Sequence, residues 1–438
     1  MSQAHNTSRA LLVAPASLDA LSLEEPAPCS CPQFVSASEN AYPLQTISTA
    51  IMILHWNVAA ILFALFSLAI WVYLLLARGN FWKVTEDDTA PKSLKKWPRV
   101  IAVVPARNEA ETIARAISSL ASQDYPGEFE IVVVDDQSDD GTAELARQAE
   151  EESGASLRVT VHSVDSLPPG WTGKLWALNE GIAATAENTP AFFWFTDADI
   201  VHARDTLRRL VFRAERDALD LASLMVLLQA KTFPERLLIP PFLYFFLMLY
   251  PPRWIADSNA RTAGAAGGCI LLRRTALERI GGIAAIRNEV IDDCALARAV
   301  KKSGGKIWMG LSRASVSLRS YETFAEIRDM IARTAFTQLR YSFVQLVAVL
   351  AGLFVTFWLA WILFFTGNDP AWILASTAVA LMTTTFLLTV LFYNLPPYWA
   401  FTLPLAAVFY GYSTCLSAAR HMLGRGAQWK GRTQAKKG

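Results

Sequence analysis

Charge is scarce in this chain. Only 18% of its 438 residues are Asp, Glu, Lys or Arg, and the signs nearly cancel, leaving a net charge of +1. That balance argues against a dedicated nucleic-acid binder, which needs a basic face. Cysteine is sparse and scattered, at Cys29, Cys31, Cys269, Cys294 and Cys415. Cys29 and Cys31 are too close to bridge easily, and no spacing suggests zinc. Reduced cysteines in a cytosol-facing domain are expected. A signal-peptide layout is also missing, because the first apolar run starts too late and is too long. Residues 1–50 mix Ser, Ala, Pro and acids without period, which reads as disorder. Met52 stands just inside the apolar run, and a translation start there is an expectation that mapping the mature N-terminus tests.

Apolar residues are what the chain has in excess: 53% hydrophobic, with 14 Trp and 24 Phe. Four stretches, about 51–77, 343–365, 372–393 and 399–418, are long enough to cross a bilayer, which takes ~20 residues. Trp56, Trp71, Tyr73, Trp372, Tyr393 and Trp399 gather towards their ends, as membrane interfaces favour. A basic strip follows the first stretch (Arg78, Lys83, Lys92, Lys95, Lys96, Arg99) and places that flank in the cytoplasm. One conflict remains. A cytosolic domain followed by three spans would leave the tail outside, yet Arg420, Arg425, Lys430, Arg432, Lys436 and Lys437 prefer the inside. Re-entry of one segment near Pro396-Pro397 or Pro404 removes the conflict. Residues 237–254 are apolar but broken by Pro240 and Pro241, and read as an element lying on the membrane surface or as ordinary core.

Between the spans the pattern changes. Apolar runs at 100–104, 130–134, 157–161 and 192–195 alternate with helical spacing at 111–122, 142–152 and 175–186. Such alternation predicts an α/β fold, with a mainly parallel sheet and helices on both faces. The chain then divides into a disordered segment (1–50), a span (51–77), a basic linker (78–98), an α/β domain (99–342), apolar helices (343–419) and a basic tail (420–438).

Sheets of this kind place ligands beyond the carboxyl ends of their strands, and the acids fall there. The run 192–195 leads to Asp197 and Asp199. In an extended chain these side chains share a face, and two such charges repel unless a cation sits between them. Hard oxygen ligands suit Mg2+ or Mn2+, with a diphosphate completing the shell. Pro105, Arg107 and Glu109 follow the first run, and Asp135-Asp136 the second. Asp139 and Asp140 read as helix caps. Asp292 and Asp293 head a helix reaching Lys302.

Together these motifs resemble the inverting family 2 glycosyltransferases with the GT-A nucleotide-sugar-binding fold, over roughly residues 98–345. The resemblance implies that Asp136 contacts the nucleotide base, with Pro105, Arg107 and Glu109 lining the same pocket. Residues 173–179 are similar to the family's Gly-Lys-x-x-Ala-Leu-Asn segment, which would place Lys174 near the diphosphate. Asp197 and Asp199 would hold the divalent metal, and Gly267-Gly268 with Arg273-Arg274 would form the acceptor-side loop. Asp293 would be the base, in a pair that is usually Glu-Asp and here is Asp292-Asp293. Thr337-Gln338-Leu339-Arg340-Tyr341 stands where the family has Gln-x-x-Arg-Trp. Arg340 would meet the diphosphate, and Gln338 and Tyr341 would border the acceptor. Erosion of that motif favours single-sugar transfer over polymerisation.

Residues 168–178, 263–274, 281–286, 291–299 and 332–342 are similar to the hopene-associated members of the family, which are anchored in the bacterial inner membrane. That likeness implies a nucleotide-sugar donor, a lipid acceptor of the hopanoid kind and no nucleic acid. The competing expectations are a polysaccharide synthase and an inactive membrane scaffold.

Overall fold

The computed structural model describes residues 42–84, 94–152, 158–185, 189–424, 428–429 and 432–433. The disorder expected for 1–41, Lys92 of the basic strip and most of the basic tail lie outside them. Two compact units divide at His55, residues 1–55 and 56–438. Helix α1 (Tyr42–Leu76) begins inside the segment expected to be disordered. Pro43 is tolerated in a first turn, and no breaker follows it, so the helix of the apolar run propagates back.

The α/β domain opens with β1 (Val100–Ala106), α2 (Ile113–Ala121), β2 (Phe129–Asp135), α3 (Thr142–Glu152), β3 (Arg158–Ser163), α4 (Gly173–Ala183) and β4 (Phe192–Thr196). It continues through β5 (Ile200–His202), α5 (Thr206–Arg216), β6 (Leu221–Leu227), α6 (Phe233–Leu249) and α7 (Pro252–Ala256). β7 (Cys269–Arg273), α8 (Arg274–Arg279), α9 (Asp292–Lys302), β8 (Ile307–Ser317) and α10 (Phe324–Gln338) complete it.

Eight strands form one sheet in the order β3-β2-β1-β4-β7-β6-β8-β5. The mainly parallel sheet expected from the sequence is instead mixed. β3, β2, β1 and β4 are parallel, but β7 runs antiparallel to both β4 and β6, and β5 antiparallel to β8. The reason is the excursion through α6 and α7, from which the chain re-enters between β4 and β6 in the opposite sense. β5 to β8 escaped the sequence reading because short apolar runs beside apolar helices carry no distinguishing period.

Helices do cover both faces. Along β1, Val100, Ala102 and Val104 enter one core with Ile113, Ile117 and Leu120 of α2 and Leu207, Leu210 and Val211 of α5. Ile101 and Val103 point the other way, into a core with Leu175, Ala177 and Leu178 of α4. Strand alternation alone sets that division. α4 lies close to the sheet: a Cβ on Gly181 would stand 2.5 Å from Val103 Cγ1 and 2.8 Å from Val134 Cγ2.

The second core continues into the C-terminal helices α11 (Phe343–Phe357), α12 (Leu359–Phe364), α13 (Asp369–Phe392) and α14 (Leu403–Met422). The intermediary is α6, expected on the membrane surface or in the core. It is core, with Leu238, Ile239, Pro240, Pro241, Leu243, Tyr244, Phe245 and Leu247 all covered. Both prolines sit inside the helix, and Tyr244 shares a hydrogen bond with Thr385 of α13 at 2.8 Å. An apolar surface of that extent is covered by apolar neighbours, and α13 and α14 supply them.

Among the described residues, three helices are long and apolar enough to cross a membrane: Ile51–Leu76, Phe343–Phe364 and Asp369–Phe392. The fourth expected stretch is split into a 3-10 turn (Pro397–Thr402) and α14, and α14 packs along α10. Ser417 links the two, accepting from the N–H of Phe336 at 3.1 Å, and Arg420 pairs with Asp329 at 2.6 Å.

Candidate active site

The register Ala106↔Asp135 brings the loops after β1 and β2 side by side. They are laced together: Asn108 N–H donates to Ser138 Oγ (3.0 Å), Glu109 N–H to Thr142 Oγ1 (2.8 Å) and Ala110 N–H to Asp140 Oδ2 (3.0 Å). Asp140 also caps α3 as expected, accepting from Thr142 N–H at 3.0 Å. Arg107 reaches across to the carbonyls of Asp136 and Gln137, and its guanidinium lies 4.0 Å from the fully buried Asp136 carboxylate. Asn108 and Gln137 hold φ of +51° and +54°. A left-handed backbone at two non-glycine positions is the kind of strain that clusters at binding sites.

β4 ends at Thr196, and Asp197 to Asp199 form a turn closed by Ile200 N–H donating to Asp197 O (3.2 Å). The pair was expected on an extended strand end, and this turn hydrogen bond bends it instead. The two carboxylates remain electrostatic neighbours. Burial, and then the charge of Asp197, push the Asp199 carboxyl up to about 6, against the pull of Arg319. Two hard carboxylates whose charges oppose each other suit a divalent cation. No cluster of three or more His, Cys, Asp or Glu is poised as a metal site among the described residues. An ion held by two carboxylates takes the rest of its shell from phosphate oxygens and water.

Lys174, one residue into α4, lies between this turn and α9. Its Nζ is 2.8 Å from Asp197 Oδ1 and 3.4 Å from Asp292 Oδ2. Burial alone would lower its pKa, but Asp197 and Asp292 outweigh it and hold the ammonium above the ordinary lysine range. Asp293 accepts the N–H of Gly267 at 2.9 Å and that of Cys294 at 2.6 Å. Burial first, then the charge of Asp292, raise its carboxyl to about 6, while Lys174 and the two N–H donors oppose the rise. A carboxylate poised near neutrality is suited to taking up a proton. Gly267 belongs where it is for lack of room: a Cβ there would stand 3.2 Å from Lys174 Nζ and 3.4 Å from Asp293 Oδ2.

Pro105, Lys174, Asp197, Gly267, Asp292 and Asp293 line one cavity. Glu109 and Asp199 join through a shared partner, Arg319. Arg107 and Asp136 adjoin on the two laced loops. Gly268 stands behind the cavity, where its carbonyl accepts from Thr196 Oγ1 at 3.0 Å. The last motif divides. Gln338 donates to Tyr250 Oη at 2.6 Å, and Tyr250 lies in the field of Asp293 and Cys294. Arg340 is exposed with φ +50°, and its guanidinium makes no ion pair among the described residues. Tyr341 stacks on His421 of α14, with ring centroids 4.4 Å apart.

Three residues of this region were missed in the sequence. Arg319 follows β8 without a motif. Tyr250 ends α6. His202 is fully enclosed, with Nε2 2.8 Å from Thr196 Oγ1 and Nδ1 2.8 Å from Ser315 Oγ, and burial pushes its pKa down to about 3. Its neutral ring ties the Asp197 strand to β8. A lone histidine three residues after Asp199 was the available signal.

Residues 101–281 match the family described as Glycosyl transferase family 2. The Bacillus subtilis protein named "Probable glycosyltransferase YdaM" is 27% identical over 225 residues, 49% of this chain and 51% of that one. The beta-monoglucosyldiacylglycerol synthase of a Synechocystis species is 31% identical over 180 residues, 39% of this chain and 35% of that one. The matched part thus spans about half the length of these relatives or less. Among solved structures, the Pyrobaculum calidifontis mannosyltransferase PcManGT, in complex with GDP-Man and Mn2+, superimposes with a TM-score of 0.51 at 21% identity. The alignment covers 82% of this chain and 99% of that one, and shows the likeness of fold. Residues 101–281 thus match a family 2 glycosyltransferase domain, within a mixed sheet whose fold is GT-A-like.

Proposed function

We propose that the chain transfers a single sugar from a nucleotide-sugar donor to a lipid, with inversion at the anomeric carbon. The observation that carries this reading is the one cavity lined by Asp197, Lys174, Gly267 and Asp293. Asp136, Arg107 and Pro105 receive the nucleotide, and Lys174 faces the diphosphate. Asp197 and Asp199 would hold a divalent metal, which would supply charge neutralisation for the departing diphosphate; PcManGT is a complex with GDP-Man and Mn2+. Asp293 takes the proton of the acceptor hydroxyl as it attacks opposite the leaving group. The N–H groups of Gly267 and Cys294 fix its two oxygens, so the base is aimed before the acceptor arrives.

The lipid acceptor rests on the apolar helices and on the name of one relative, a synthase of a glucosyldiacylglycerol. The hopanoid kind rests on the motif resemblance over residues 168–178 and 263–274. Packing supports the reading of the orientation. If all three apolar helices cross, and with α14 held against α10 by Arg420–Asp329, the tail falls on the same side as the catalytic domain. That side is cytoplasmic by the basic flank after α1, and the conflict over the basic tail disappears. A reporter joined after Gly438 is expected to work only in the cytoplasm.

The test of function is purified protein with Mn2+, a panel of nucleotide sugars and extracted bacterial lipids. A hexosylated lipid made by the wild type and not by Asp293→Asn supports the reading. Sugar chains of many units, or donor turnover untouched by that substitution, would refute it.

A further inference from the structure

β8 closes at Ser317, and the residues after it cross the acidic cluster as a strap held at both ends. At the near end, Leu318 N–H donates to Asp199 O (2.7 Å), and Ser317 Oγ lies 3.4 Å from the Asp199 carboxylate. At the far end, Tyr321 N–H donates to Glu235 Oε1 (2.7 Å), and Tyr321 O accepts from Thr232 Oγ1 (2.9 Å). Glu235 is fully buried, and its other oxygen takes the N–H groups of Lys231 (2.8 Å) and Thr232 (2.9 Å). Arg319 sits between these anchors. Its Nη2 donates to Glu109 Oε1 at 3.2 Å, and its Nε lies 3.6 Å from Asp199 Oδ2. Lys174 meanwhile holds Asp197 at 2.8 Å. Each carboxylate of the pair therefore already faces a cation of the protein.

We propose that Arg319 is a resident counter-ion that makes metal uptake depend on the nucleotide. A bare divalent ion at Asp197 and Asp199 would bring two positive charges beside an ammonium and a guanidinium, and like charges so close repel. A divalent ion carried by a nucleoside diphosphate enters nearly neutral, and the guanidinium passes from Asp199 to the diphosphate oxygens, which match its fork of donors. The donor and its metal are then taken up as one unit. This rests on the nucleotide-sugar reading above and adds a residue and an order of binding to it.

The test is Mn2+ binding by the full chain in detergent, read from the spin resonance of free Mn2+, alone and with UDP or GDP. The wild type is expected to bind Mn2+ at least about tenfold more tightly with one of the nucleotides, and that nucleotide to gain the same factor from Mn2+. Arg319→Met is expected to tighten Mn2+ alone and shrink the coupling to about threefold or less, whereas Arg319→Lys keeps most of it. Equal Mn2+ affinity of the wild type with and without nucleotide overturns the proposal, as does an unchanged coupling in Arg319→Met. Should the Met variant fail to fold, Arg319→Gln takes its place: coupling shrunk to about threefold or less supports the proposal, and coupling unchanged from the wild type overturns it. Failure of the underlying reading looks different: neither nucleotide brings Mn2+ to the wild type, and Asp197→Asn changes nothing.

Discussion

On the side of the cleft proposed for the donor, the β1 and β2 loops are joined by hydrogen bonds between residues about thirty positions apart, most of them from backbone N–H groups. On the side proposed for the acceptor, Asp293 depends on Gly267, Gln338 reaches Tyr250 across 88 positions, and α10 is steadied by α14. The first side is stiffened by its own loops. The second takes its shape from α6, α10 and the apolar helices behind them. Changes on the donor side should therefore alter binding of nucleotide, and changes on the acceptor side the transfer step and the choice of acceptor.

The largest expected effect separates chemistry from donor binding. Asp293→Asn should lower kcat by about 10^2 to 10^4-fold, the usual worth of a general base, while titration with the nucleotide shows donor affinity within a few-fold of wild type. Loss of donor binding instead would erase the division. Gly267→Ala comes next. Its Cβ would press on Lys174 Nζ at 3.2 Å and Asp293 Oδ2 at 3.4 Å, and small misplacements of a reacting group can cost about 10^2-fold. Steady-state kinetics should show the loss in kcat, with the melting temperature little moved.

Gly181→Ala tests the scaffold common to both sides. The added methyl meets Val103 and Val134 below 3 Å, and overpacking of that kind costs about 1–3 kcal/mol. Denaturant midpoints should fall without a change in slope. An unchanged midpoint would mean that α4 can lift from the sheet. The smallest effect belongs to Gln338→Leu, which removes one hydrogen bond to Tyr250, worth about 0.5–1.5 kcal/mol. A rise in acceptor KM of a few-fold, with donor KM unmoved, would place α10 on the acceptor side; an equal shift in both would not.

What could be read in the sequence follows the same division. Asp136, Lys174, Asp197 and Asp293 sit in short motifs next to the strands and helices that carry them, so spacing and family likeness single them out as candidates. Arg319 meets Glu109 across 210 positions and His202 meets Ser315 across 113. No local pattern announces such contacts; only the completed sheet creates them. The direction of β7 was equally hidden, because the four-residue apolar run Cys269–Leu272 reads the same either way. α6 was ambiguous for a related reason: two prolines suggested a broken surface element, but burial against α13 holds the helix together around them.

The role of Asp293 is most directly tested by the pH dependence of kcat/KM for sugar transfer, which reports on the free enzyme. Burial raises its carboxyl to about 6, and a protonated carboxyl cannot take a proton from the acceptor. The rate constant should therefore climb through pH 6 and level off above it, falling about tenfold per pH unit on the acid side. A profile flat from about pH 5 to 7, or an acid limb that persists unchanged in Asp293→Asn, would contradict the assignment of Asp293 as the base.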